Sequence, residues 1–148
     1  ITLGLASVKH GRQEPISLGN LDARRDWGHA RDYVEAMWLM LQQSEADDYV
    51  IATGETHSVR EFVEHAAAVA GMQIEWEGSG TEEVGRDRKT GRIVIDVDPD
   101  FYRPAEVDVL LGDPRKARER LGWTPRIAFG ALVELMMKSD LEVVSRSR

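Results

Sequence analysis

The chain has 148 residues, 42% of them hydrophobic and 30% charged, with a formal net charge of −7 and no cysteine. That length is one domain or part of one, with enough apolar material for a core. Lack of cysteine excludes disulfides, thiolate nucleophiles and cysteine-ligated zinc, the acidic balance argues against a nucleic-acid partner, and no run approaches the ~18 apolar residues of a membrane span.

The amino terminus, ITLGLASVKHG, has neither the basic start nor the apolar length of a signal peptide. It also lacks an initiating methionine, which fits a processed, excised or truncated chain. Residues 1–10 read as the end of a helix, stopping at Gly11. Ile16 and Leu18 then alternate as in a short strand. The sequence Asp32-Tyr33-Val34-Glu35 has the spacing of a capping box, so a helix is expected over about 33–43. Val34, Met37, Trp38 and Leu41 recur on one face of it, which predicts that this face is buried. Tyr49–Ala52 is an apolar run that suits a buried strand.

A second capping box, Ser58-Val59-Arg60-Glu61, opens a helix with Val59, Phe62, Val63, Ala66, Ala67 and Ala70 inward and Gly71 at its end. Ile74 and Trp76 read as a strand. Residues 77–91, EGSGTEEVGRDRKTG, predict a polar, mobile loop and support no functional role. Residues 93–97 are the next strand. Asp113-Pro114 starts a short helix that stops at Gly122. A last helix is expected from about Phe129 to Val143, with Leu132, Val133, Leu135, Met136 and Leu141 inward. This alternation indicates an α/β protein. The strands are few and short, as in a part of something larger.

Two stretches carry binding chemistry. In LGNLDARRDWGHARDY, residues 18–33, a Gly19-Asn20 turn precedes two arginines and a tryptophan. The planar donor fork of arginine suits a diphosphate, and a tryptophan can wall such a site while its indole finds one polar partner. The same residues also fit a charged turn whose arginines pair with Asp22, Asp26 and Asp32. In the second stretch, Asp100–Asp108, Pro104 biases Arg103 towards extended geometry. Glu106 there fits either a ribose hydroxyl pair or a loop salt bridge. The four histidines show no metal-ligand spacing and read as caps or surface residues.

The usual catalytic patterns are missing. None of the 13 glycines forms the closely spaced set that brings a dinucleotide to a helix N-terminus. No tyrosine is followed four residues later by lysine, and there is no nucleophile elbow or phosphate loop.

LGNLDARRDWGHARDYVEAMWLMLQ, DDYVIATGETHSVREFVE, YRPAEVDVLLGDPRKARERLGWTPR and LVELMMKSDLE resemble, in order from about residue 16 to 142, successive blocks of the GDP-mannose 4,6-dehydratase family. That family belongs to the extended short-chain dehydrogenase/reductase superfamily. The resemblance implies an α/β fold, with residues 1–148 as the C-terminal nucleotide-sugar (substrate) binding region and the Rossmann half largely absent. Residues of about 30–55 would pack on that missing domain. If the parallel sheet is absent, Met37, Trp38 and Leu41 are expected to be exposed.

The implied reaction is a lyase reaction of deoxyhexose biosynthesis: GDP-mannose loses water to give the 4-keto-6-deoxy sugar by internal, NADP-mediated redox. NADP and the catalytic Thr/Ser–Glu–Tyr–Lys set belong to the N-terminal half, so the chain alone is predicted inactive, with no catalytic, cofactor-binding or metal residue of its own. By motif matching, Arg25 and Arg103 would contact the diphosphate, Glu106 the ribose, and Asn20 the base or ribose. Asp32 is expected as a helix cap and Trp27 as packing. GDP-mannose is the expected partner, without nucleic acid or membrane, in a cytoplasmic, homo-oligomeric full-length enzyme. Two other readings are a fragment of another nucleotide-sugar dehydratase or reductase, and a non-catalytic nucleotide-sugar binding module.

Overall fold

The structure, a computed structural model, describes residues 1–12, 15–102 and 109–146. In chain order the elements are α1 (Thr2–Lys9), β1 (Ile16–Leu18), β2 (Arg24–Arg25), α2 (Ala30–Leu41), β3 (His57–Ser58), α3 (Val59–Val69), β4 (Ile74–Glu77), a 3-10 turn (Gly80–Glu82), β5 (Val84–Asp87), β6 (Ile93–Val97), α4 (Arg115–Leu121) and α5 (Phe129–Arg146). They fall into two compact units. The first takes the described residues of Ile1–Ala23, Ser58–Asp108 and Val133–Arg148; the second is Arg24–His57 with Val109–Leu132.

The first unit is built on a four-stranded sheet in the order β1-β6-β5-β4. β1 and β6 run parallel, with Ile16 opposite Ile95 and Leu18 opposite Val97. The β4–β5 and β5–β6 pairs are antiparallel. Segment 77–91, expected as a mobile loop, therefore holds the 3-10 turn and β5. Only Val84 favours a strand here, Gly85, Arg86 and Asp87 reading as loop, and β5 pairs with β4 on one side and β6 on the other.

Helix α3 follows its sequence closely. Ser58 Oγ accepts from the Glu61 amide at 3.0 Å and Glu61 Oε2 accepts from the Ser58 amide at 2.7 Å, completing the capping box. Phe62, Val63, Ala66 and Ala67 are buried, and the chain leaves the helix through Gly71 at φ 73°. Leu5, Ala6 and Val8 of α1, together with Val94, Ile95 and Val97 of β6, complete the apolar interior. Arg60 ties the unit's surface together. Its guanidinium donates to Asp22 at 3.0 Å and Glu83 at 2.6 Å and lies 4.7 Å from the centre of the Trp76 ring. The hydrogen bonds to Glu83 and then Asp22 outweigh burial and raise its pKa further.

In the second unit α2 packs on α4, with Ala36 and Ala117 fully buried where the helices approach. Leu121 and Trp123 fill the space beside them, and the Trp123 indole donates to the Asp32 carbonyl at 2.8 Å. The start of α2 corrects one expectation. The N-cap is His29, whose Nδ1 accepts from the Arg31 amide at 3.1 Å. Asp32 does not cap its own helix: its Oδ2 accepts from the amides of Arg126 at 3.0 Å and Ile127 at 3.1 Å. Glu35 pairs with the Arg126 side chain. The local capping box gives way to a long-range pair of amides that Asp32 satisfies.

Three further expectations change. Tyr49–Ala52 forms no strand; Ala52 instead lies against Gly112, where an added Cβ would come within 2.2 Å of the Ala52 Cβ. The apolar face of α2 is real but uncovered, with Val34, Met37 and Trp38 more than half exposed and Leu41 at 82%. The expectation that this face is buried is thus overturned, and the one that Met37, Trp38 and Leu41 stand exposed holds. On α5, Leu132, Val133 and Met137 are buried, whereas Leu135 and Met136 face out. No helix among the described residues is long and apolar enough to cross a membrane.

Candidate functional site

In the first unit, the segments that carry Asn20 and residues 98–102 leave the ends of β1 and β6. After Leu18 the chain turns through Gly19 and Asn20, where Asn20 Oδ1 accepts from the Asp22 amide at 2.9 Å. After Val97 the Asp98 amide donates to the Leu18 carbonyl at 2.9 Å, and the Phe101 amide folds back on Asp98 at 3.0 Å. The two segments touch: a Cβ on Gly19 would stand 2.3 Å from the Phe101 carbonyl oxygen, so only glycine fits. Asn20 is thereby fixed beside the segment 98–102. Its side-chain oxygen is engaged by its own turn, which leaves the amide nitrogen as its outward donor.

The second unit holds the arginine-tryptophan stretch. Arg24 is committed to structure, donating from Nε to Thr56 Oγ1 at 3.2 Å and from a terminal nitrogen to the Thr56 carbonyl at 2.7 Å. Its own carbonyl accepts from the Leu110 amide at 3.2 Å and from the Arg25 guanidinium at 2.8 Å. Asp26 accepts the Thr53 amide at 2.8 Å, the Thr53 hydroxyl at 2.7 Å and the Gly54 amide at 2.9 Å. The Trp27 indole donates to the His57 carbonyl at 3.2 Å, the one polar partner the sequence asked for. His57 stacks on Phe129 at 3.8 Å between ring centres and 7° between planes. Trp27, Thr53, His57, Arg126 and Phe129 line a cavity of about 170 Å³. Nearby, burial, then the charges of Asp26 and Asp32, raise the pKa of the Tyr33 phenol, keeping it neutral.

Of the four residues singled out from sequence, Asn20 lies in the first unit and Arg25 in the second. Arg103 and Glu106 lie outside the described residues. The described structure thus places two of the four, one in each unit. Asp26 and Thr53 are what sequence reading missed. They are 27 positions apart, and neither residue type marks a partner that distant. No cluster of three or more potential metal ligands exists among the described residues.

Solved structures with the same fold include a UDP-glucose 4-epimerase from Thermotoga maritima and a dTDP-glucose 4,6-dehydratase. The RMD protein of Pseudomonas aeruginosa, solved with NADPH, superposes with a TM-score of 0.73 at 20% identity, over 96% of this chain and 41% of that one. The dTDP-glucose 4,6-dehydratase of Bacillus anthracis gives 0.66 at 16% identity, over 97% and 38%. By fold, then, the chain is a partial α/β structure that matches about two fifths of each of those two proteins.

Sequence narrows this. The family model for GDP-mannose 4,6 dehydratase matches residues 1–136. The enzyme of that name from Cricetulus griseus is 56% identical over 97% of this chain, and the human one 55% over 97%. The Sinorhizobium fredii enzyme is 52% identical over 100% of this chain. The chain belongs to the GDP-mannose 4,6-dehydratase family. It spans 39% to 42% of the length of these relatives.

Proposed function

We propose that this chain is the substrate-binding portion of a GDP-mannose 4,6-dehydratase, a lyase that converts GDP-mannose to GDP-4-keto-6-deoxymannose. The family match over residues 1–136 carries the reading, because it runs through both binding stretches. In this reading Arg25 and Arg103 take the diphosphate, Glu106 accepts from the ribose hydroxyls, and Asn20 offers its amide nitrogen to the base or ribose. Charged forks and a carboxylate orient the nucleotide, and that binding energy aligns the sugar for chemistry.

NADP supplies the hydride chemistry in the whole enzyme. Among the described residues neither β1 nor β6, the parallel pair, leads through closely spaced glycines into a helix that would cradle it. We assign no residue of this chain to it, and none to catalysis. Residues of about 30–55 pack on the Rossmann part, and the exposed row Val34, Met37, Trp38 and Leu41 supports that contact, because apolar rows of this length are normally covered. A cytoplasmic homo-oligomer is the assembly we expect for the whole enzyme.

Competition binding tests the substrate. A chain of full family length carrying this sequence is expected to prefer GDP-mannose over dTDP- and UDP-glucose by at least tenfold. Equal or tighter binding of the dTDP or UDP sugar would assign the chain to a different nucleotide-sugar enzyme.

A further inference from the structure

At the Ile93 end of β6 the first unit carries an open cavity of about 250 Å³. Val8 from α1, Met72 just beyond α3, and Val94 give it an apolar lining; Lys9, Asp87, Lys89 and Arg92 supply the charges. It lies at the opposite end of β6 from Asp98 and the Gly19-Asn20 turn, about 16 Å away at ~3.3 Å per strand residue.

Three cations meet one carboxylate there, in a chain whose net charge is −7. That carboxylate is already satisfied. Asp87 accepts from the Thr90 hydroxyl at 2.8 Å and from the amides of Gln73 and Lys89, both at 3.4 Å. Lys9 donates to the Ala70 carbonyl at the end of α3. Elsewhere on the same hairpin each arginine has an acidic partner, Arg86 with Glu77 at 2.8 Å and Arg88 with Glu75 at 3.1 Å. Lys89 and Arg92 pair with no carboxylate among the described residues. Two uncompensated cations therefore border an apolar hollow in a protein with acidic groups to spare.

We propose that this cavity binds a small organic anion: a carboxylate or phosphate head on an apolar body about one ring in size. Arg92 offers a planar fork that meets either head group through two parallel hydrogen bonds, and Lys89 adds a point charge. Val8, Met72 and Val94 take the apolar body. About 150 Å³ is enough to hold a benzene ring, so the volume admits the ring and its head group together.

The test is a titration of the ¹⁵N-labelled chain with benzoate and, separately, phenyl phosphate, read by amide shifts. Benzamide and inorganic phosphate serve as the neutral and the bodiless controls. Saturable shifts centred on residues 8–9, 72 and 87–94 are expected with at least one of the two anions, and their relative affinity identifies the head group. Benzamide and inorganic phosphate are expected to bind at least tenfold more weakly. The exposed pair Lys89→Gln and Arg92→Gln together should weaken binding tenfold or more, and Met72→Trp, which fills the hollow, should abolish it. The proposal is overturned if neither anion saturates, if either control binds as tightly, or if the double glutamine variant binds like the unmodified chain.

Discussion

Three donors converge on Asp26, and they hold the turn at Thr53–Gly54 against the residue that follows Arg25. Replacing Asp26 with Asn removes one acceptor oxygen and leaves a donor facing a donor. Such a loss costs about 1–3 kcal/mol, so urea denaturation should show a clear drop in midpoint. Asp87 makes a second, pH-dependent case. Burial pushes its carboxyl upward, but the Thr90 hydroxyl and the amides of Gln73, Lys89 and Thr90 outweigh this and hold it below the ordinary range. The unfolded chain therefore binds the proton more readily. The stabilisation is complete above the unfolded value of about 3.9 and is lost as pH falls through the lower folded value. Asp87→Asn should destabilise the chain by about 1–3 kcal/mol at pH 7. That difference should shrink in acid, and denaturation curves at pH 7 and pH 3 measure it.

Among the elements, helix α3 was readable because everything that starts and stops it lies within its own sequence. Ser58, Glu61 and Gly71 act over one helical turn, and Ser58→Ala should cost about 1 kcal/mol. Helix α2 shows where such reading ends. Its Asp32-to-Glu35 spacing matches a capping box, yet both carboxylates serve partners more than 90 positions away. Asp32→Ala should cost more than Ser58→Ala, about 1–3 kcal/mol, since it leaves two amides without an acceptor. Paired thermal melts of the two variants decide the order. Strand β5 was missed for the same reason: a strand made of Val-Gly-Arg-Asp depends on neighbours on both sides, and pairing is not written in the strand itself. Of the candidate site, the arginine-tryptophan stretch and Asn20 stood out by residue type, while the supports of that stretch, Thr53, Thr56 and His57, did not.

For the molecule as a whole, the exposed row on α2 is the largest departure from a self-sufficient domain. Leu41 at 82% and Trp38 at 59% exposure are what the proposed contact with the Rossmann part rests on. Met37→Lys with Leu41→Glu should change the stability of the 148-residue chain by no more than about 0.5 kcal/mol. The same pair in a chain of full family length should be strongly destabilising, as seen in its melting temperature. Equal, small effects in both would remove the proposed contact with the Rossmann part.

In the proposed function this chain holds a GDP-sugar through Arg25 and Arg103. Calorimetric titration of GDP-mannose into a full-length family chain carrying this sequence tests it most directly, beside Arg25→Ala and Arg103→Ala. Each substitution removes charged hydrogen bonds of about 1.5–3 kcal/mol, so affinity should fall roughly 10- to 100-fold in each. Unaltered affinity in both variants would remove Arg25 and Arg103 from the nucleotide site.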